Sequence, residues 1–225
     1  MSGRLVHYKI NNSERARRIK ISIYPHRGIE VTVPTGTRTE EIEKILEDKR
    51  RWLEKHEKLI PKGWNRIETG RELMLLGRRY LLFVEQTNGK DTVELNGARI
   101  NVRIKKETQT ALKELLNRWY RKEARGIIGG RAGTLANELG IKFSRISIRD
   151  QRSRWASLSN SGELSFNFRL VMAPGFIIDY VILHELSHVE EFNHSKGFWE
   201  LVEKRCPEYR ECEKWLDENA NLLAL

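Results

Sequence analysis

Apolar and polar residues alternate in two early stretches. Ile19, Ile21 and Ile23 interleave with Lys20 and Ser22, and Ile29, Val31 and Val33 interleave with Glu30 and Thr32. A period of two places each apolar set on one face of a strand. With His26-Arg27-Gly28 as the turn, the two stretches predict a β-hairpin. A weaker alternation from Leu5 to Ile10 predicts a short strand before it. The period then lengthens. Ile42, Ile45, Leu46, Trp52, Leu53 and Leu59 form a helical stripe, with Thr39 as its cap and Pro61-Lys62-Gly63 as its end.

A second β-rich stretch follows. Glu72 to Gly77, Tyr80 to Glu85, Thr92 to Leu95 and Arg99 to Ile104 read as strands, punctuated by Asn88-Gly89 and Asn96-Gly97. From Thr108 to Leu139 the spacing is helical again, with Leu112, Leu115, Leu116, Trp119 and Tyr120 on one face. Gly129-Gly130 and Gly133 predict a kink or break in it, and Gly140 its C-terminal stop. Phe143, Ile146 and Ile148 then alternate, Trp155 and Leu158 follow, and Asn160-Ser161-Gly162 makes a turn. Leu164, Phe166 and Phe168 alternate next, with Ser165, Asn167 and Arg169 on the opposite face. Pro174 marks the start of a helix running to Phe192 that is apolar nearly all round, which predicts burial. Two further helices are expected around Phe198 to Lys204 and from Glu208 to about Asn219. The fold class is α+β. The expected organisation is a β-rich region with one helix over 1–105 and a second domain over 106–225.

Composition narrows the class. At 225 residues, 39% hydrophobic and 32% charged, the chain reads as a soluble globular protein. No apolar run reaches the length of a membrane span, and the N-terminus has no apolar leader segment, so the expected setting is the cytoplasm. Cys206 and Cys212 alone give no disulfide framework and no cysteine-based zinc site; free thiols are expected, although a pair this close could bridge. The net charge of +10 is uneven: from Phe176 onward there are 5 Lys+Arg against 11 Asp+Glu, and the 36 and 20 before it leave +16. A basic portion of that size suits nucleic acid, nucleotides or acidic proteins. It equally suits a solvated, ion-paired surface, the plainer explanation.

The candidate chemistry lies in Pro174 to Trp199. His184, Glu185 and His188 spell His-Glu-x-x-His. Residues four apart lie on one helix face, so two imidazoles there can bind one Zn²⁺ while the glutamate reaches water activated by the metal. The motif alone occurs by chance on amphipathic helices, but buried histidines need partners, which a metal supplies. One zinc per chain is expected, with Glu185 as general base and acid. His194 is the favoured third ligand, on a chain that turns at Asn193; Glu200 or Glu203 is the alternative. Arg152 or Arg154 suits oxyanion or phosphate binding, against an equal case for surface ion pairs. Asn167, on the polar face of its strand, suits contact with an extended peptide if that strand is an exposed edge.

The block ISIRDQRSRWASLSNSGELSFNFRLVMAPGFIIDYVILHELSHVEEFNHSKGFW resembles the YgjP-like metallopeptidase family, a relative of the SprT-like and WLM zinc proteases. LLGRRYLLFV, WYRKEA and CPEYRECEKWL extend the resemblance over most of the chain. It implies a zincin-like catalytic domain, an active-site helix packed by a small β-sheet, with His184, His188 and His194 as ligands and Glu185 as acid/base. Trp155-Ala156-Ser157-Leu158-Ser159 departs from the family's usual Trp-Gly-Ser-Cys-Ser. Glu191 in place of glycine, and no methionine after the site, disfavour the metzincin class. The expected activity is peptide-bond hydrolysis. The alternatives are pyrophosphate release from a nucleoside triphosphate such as UTP, described for some family members, and a nucleic-acid-associated module docking through the basic N-terminal part.

Overall fold

A computed structural model of the chain describes residues 8–14, 16–24, 28–57, 66–151, 154–223 and 225. The start of the expected first strand, His26-Arg27, Leu59, Pro61 to Gly63 and Arg152 lie outside them. Two compact units divide after Arg66. The β-rich region was expected to extend to 105, but Leu82, Ile100, Val102 and Ile104 share one buried cluster with Leu112, Ile177 and Ile182. Among the described residues no helix is long and apolar enough to cross a membrane.

The first unit holds β1 (Tyr8–Ser13), β2 (Lys20–Tyr24) and β3 (Gly28–Pro34) in the order β1-β3-β2. β2 and β3 form the expected antiparallel pair, with Ile21 opposite Val31. β1 runs parallel to β3. The single helix expected next is two: α1 (Thr39–Asp48) and α2 (Arg50–Glu57). Lys49 between them sits at φ −99° and ψ 5°, outside the helical well. Arg38, not Thr39, occupies the cap position of α1. Ile42 and Leu53 join Ile29, Val31 and Val33 in a small separate core.

The second unit opens with a four-stranded sheet of β4 (Glu72–Leu75), β5 (Arg78–Gln86), β6 (Thr92–Asn96) and β7 (Arg99–Ile104), ordered β4-β5-β7-β6. Helix α3 (Gln109–Glu138) follows without a break. Its glycines do not kink it, because Ala124, Ile128, Ala132 and Ala136 bury a continuous stripe across them and packing outweighs propensity. The helix ends as Gly140 predicts. Gly140 at φ +69° donates to Asn137 O, and Ile141 N donates to Ala136 O, which satisfies the last carbonyls.

A three-stranded sheet of β8 (Arg145–Arg149), β9 (Ala156–Leu158) and β10 (Glu163–Asn167) comes next, in the order β8-β10-β9. β10 is the central strand, parallel to β8 and antiparallel to β9, and both its faces are covered. The polar face expected for Ser165 and Asn167 is therefore buried, and each makes internal hydrogen bonds; Ser165 Oγ meets Ser147 Oγ at 2.7 Å. A 3₁₀ turn over Phe168–Met172 leads to α4 (Gly175–Ser187), α5 (Lys196–Arg205) and α6 (Tyr209–Asn219).

The first sheet is fastened to the start of α4. The β4–β5 turn is Leu76-Gly77, with φ of +51° and +74°. Two successive positive angles make a tight hairpin turn whose twist matches its strands. Leu76 N donates to Val171 O at 2.8 Å and Gly77 N to Met172 O at 3.0 Å. A Cβ on Gly77 would meet Pro174 Cγ at 2.8 Å. Gly77→Ala should therefore cost on the order of 3 kcal/mol, combining left-handed strain with overpacking. Gly97→Ala, at φ +57° with open space around it, should cost about 1 kcal/mol. Urea unfolding of the two variants decides it; equal costs would show that the approach to Pro174 is unimportant.

Candidate metal centre

Helix α4 is built to be buried. Ile177, Ile178, Ile182 and Leu186 are fully enclosed, and the helix has no solvent face of ordinary width. It nevertheless carries His184, Glu185 and Ser187. It ends at Ser187 rather than at Phe192, because its last turn tightens: His188 N, Val189 N and Glu190 N donate to carbonyls three residues back. Phe192 is 69% exposed beyond that stop.

The turn brings His194 back to the helix. His184, His188 and His194 offer ring nitrogens that all lie within 4.8 Å of one another. His194 Nε2 is 3.2 Å from His184 Nε2. That spacing matches the edge of a tetrahedral site, about 3.3 Å for two nitrogens on one Zn²⁺-sized ion. His188 Nδ1 lies 3.0 Å from Glu191 O. A carbonyl only accepts, so His188 carries its proton on Nδ1 and leaves Nε2 with a lone pair. His184 Nδ1 is buried without a hydrogen-bond partner among the described residues. The three imidazoles thus fit a divalent metal by donor type and spacing, through the Nε2 atoms of His184 and His194. Glu200 forms an ion pair with Lys196 at 3.3 Å, and the cluster of candidate ligands contains neither it nor Glu203.

Two aromatic residues that the sequence pattern did not single out hold these rings. Phe198 is fully buried and stacks on His188 at 4.4 Å between centroids, with His184 and His194 against its edge. Trp199 lies 5.7 Å from the His194 ring and stacks on Tyr209. Ser195 caps α5 by accepting from Phe198 N at 3.2 Å, which fixes Phe198 next to the turn that carries His194.

Arg205 is a second support missed in the sequence. Its side chain is buried, donates to Ser187 Oγ at 2.9 Å and pairs with Glu190. Ser187 in turn donates to Leu183 O at 2.7 Å. A cation is thereby fixed against the C-terminal end of α4, where helix carbonyls favour it.

Glu185 is 7% exposed. Burial pushes its carboxyl up to about 7, against the backbone N–H of Leu158 and the charge of Arg154, which favour the ionised form. His184 moves the other way, to about 4, chiefly by burial and then by the neighbouring His188 and His194. His188 is also lowered, again mainly by burial.

A cleft of about 410 Å³ opens onto Glu185 and His184. Arg154, Trp155 and Ala156 line it on the β9 side, and Glu213, Leu216 and Asp217 of α6 line it on the other. Arg154 therefore lies at the cleft, exposed and near Glu185. Asn167 does not contact an edge: its Nδ2 donates to Gln151 O at 2.8 Å and its Oδ1 accepts from Arg169 N. Its work is to pin the loop before β9, and the edges of this sheet are β8 and β9. Nothing local in the sequence marks Glu213 or Asp217, since acidic residues on a C-terminal helix read as solvated charge.

The model of the family described as YgjP-like, metallopeptidase domain, matches residues 17–219. No curated protein matches the chain significantly. Among solved structures, the metallopeptidase zymogen abylysin of Pyrococcus abyssi is similar at 23% identity over 40% of this chain and 93% of that one, with a TM-score of 0.37. The metallopeptidase zymogen jannalysin of Methanocaldococcus jannaschii is similar at 25% identity over 41% of this chain and 96% of that one, with a TM-score of 0.38.

The opposed shifts of Glu185 and His184 give a pH signature for the metal-free protein. The folded carboxyl of Glu185 titrates near 7 instead of 4.5, so its contribution to stability is fully present below 4.5 and is lost as pH rises through 7. His184 titrates near 4 instead of 6.5, so its contribution is present above 6.5 and is lost as pH falls through 4. The two slopes oppose each other over the shared window. In chelator, Glu185→Gln should leave the histidine slope alone and gain stability with rising pH more steeply than the parent. Urea midpoints between pH 4 and 7 measure this, and parallel curves would contradict the burial of Glu185.

Proposed function

This chain belongs to the YgjP-like metallopeptidase family, and on that premise we propose that it is a zinc-dependent peptidase with Glu185 as general base and acid. In this reading His184, His188 and His194 hold the metal. The observation that carries it is the meeting of three imidazoles, one of which, His184, lines a cleft together with the buried carboxyl of Glu185. Three imidazoles with an open fourth position are a zinc donor set, and Zn²⁺ there would acidify a water towards neutral pH and polarise a carbonyl.

The remaining work belongs to the chain. Glu185 accepts a proton near neutral pH and returns it to the leaving amine, the balance for which a carboxyl near 7 is suited. The Leu158 backbone favours the ionised form of that carboxyl. Phe198 and the Glu191 carbonyl hold the His188 ring in one orientation and one tautomer. Arg154, at the cleft wall beside Glu185, stabilises the negative charge that develops on the attacked carbonyl.

Cleft chemistry weighs against a nucleoside triphosphate. Glu213 and Asp217 face the space a polyanion would occupy, and phosphoryl sites favour carboxylate-held Mg²⁺ over imidazoles.

Metal analysis of protein isolated without chelators should find about one zinc per chain. Glu185→Gln should keep that zinc and lose turnover of a peptide library by about 10²–10⁴-fold. Full activity in this variant would remove Glu185 from the mechanism, and hydrolysis of triphosphates alone would replace the peptidase reading.

A further inference from the structure

The cleft is electrically asymmetric. Arg154 is the charged residue of its β9 wall, next to the carboxyl of Glu185. Its α6 wall carries Glu213 and Asp217, four apart and therefore on one face of that helix. Leu216 between them is buried, Glu213 is half-buried and Asp217 is exposed, and all three line the cleft.

Among the described residues neither acid forms an ion pair. Tyr180 of α4 also lines the cleft and lies near Glu213, and a neutral phenol does not cancel that carboxylate's charge. The neighbouring cations of α6 are engaged elsewhere. Lys214 pairs with Glu218 at 3.9 Å, and Arg210 lies over the Tyr209 ring. Among the described residues Asp217 has no cationic partner. Two carboxylates of one sign lining one cleft raise the local concentration of cations.

We propose that Glu213 and Asp217 form a specificity wall that selects peptides presenting a cationic nitrogen to the α6 side of the cleft. The proposal rests on the peptidase reading given above. The cation is a lysine or arginine side chain or the α-amino group of the substrate itself; the recognising chemistry is the same for both.

Binding tests this apart from turnover. The probe is a set of short peptides, amino-acetylated and carboxy-amidated, in which one Lys or Arg is moved along a neutral sequence, with Gln as the uncharged control. A parallel arm leaves the α-amine free. Affinity for the zinc-loaded Glu185→Gln full chain is read by calorimetry. Peptides with a cation at one position should bind about tenfold tighter than the control at low salt, and the advantage should shrink as salt screens it. Asp217→Asn and Glu213→Gln should each reduce the advantage, and Asp217→Lys should reverse it toward acidic peptides. Asp217 is exposed, so its variants should fold, and unchanged far-ultraviolet dichroism checks this. A dependence on the free α-amine alone identifies that group as the cation; a dependence retained after acetylation identifies the side chain. Equal affinity for charged and uncharged peptides, no binding of any peptide, or an advantage untouched by Asp217→Lys would each overturn the proposal. Hydrolysis by the parent enzyme is scored separately. Peptides cut without charge preference would leave the peptidase reading standing and remove the wall. Charge-selective binding without hydrolysis would do the reverse.

Discussion

The constraint on which the second unit turns is that α4 must be both buried and polar. Its apolar residues are worth roughly 2 kcal/mol each once removed from water. That burial holds the helix rigidly between α3, α6 and β9. The same enclosure penalises every polar group the helix carries. Ser187 is satisfied within its own helix and by Arg205. Glu185 carries a burial penalty that the Leu158 backbone and Arg154 only partly offset, and it appears as a carboxyl near 7, a bias of roughly 3 kcal/mol against the charged form. His184 retains an unpartnered ring nitrogen. Burial that would be a defect in a structural helix leaves here a neutral imidazole and a carboxyl near 7, the states that the proposed metal ligand and proton carrier need.

The other elements serve that helix from its two ends. At the N-terminal end, Leu76 and Gly77 donate to the carbonyls just before Pro174, so the first sheet sets where α4 begins. At the C-terminal end, the tightened last turn and the Arg205–Ser187–Glu190 cluster set where it stops. A helix that continued to Phe192 would carry the chain away from His184. Stopping at Ser187 leaves enough chain for His194 to return, and Ser195 and Phe198 then fix the returned loop. The third imidazole is thus positioned by a helix terminus and a neighbouring helix cap, not by spacing along one helix.

This explains which features the sequence revealed. The β2–β3 pair, the strand-rich stretch after Glu72 and the helical stripe of α3 are period effects, and period is written locally. His184, Glu185 and His188 are legible for the same reason, being one turn apart. His194 was legible only as the nearest imidazole beyond a residue suited to turning. What stayed hidden depends on tertiary packing. The glycines of α3 are carried through the helix by the buried alanines around them. The polar residues of β10 looked like a solvent face because alternation does not reveal what covers a strand. Phe198, Arg205, Glu213 and Asp217 gain their roles from neighbours distant in sequence.

The charge distribution acquires a different meaning once the cleft is in view. The +16 of residues 1–175 invited a nucleic-acid or nucleotide partner. Yet the cleft at the buried carboxyl carries, opposite Arg154, the acidic residues Glu213 and Asp217 of the tail. A substrate responds to the field where it binds, and low-dielectric walls focus that field within a cleft while salt screens distant surface charge. Overall basicity and an acidic reaction cleft are therefore compatible. The second governs which molecules approach Glu185, and a cationic peptide segment satisfies it where a polyphosphate does not.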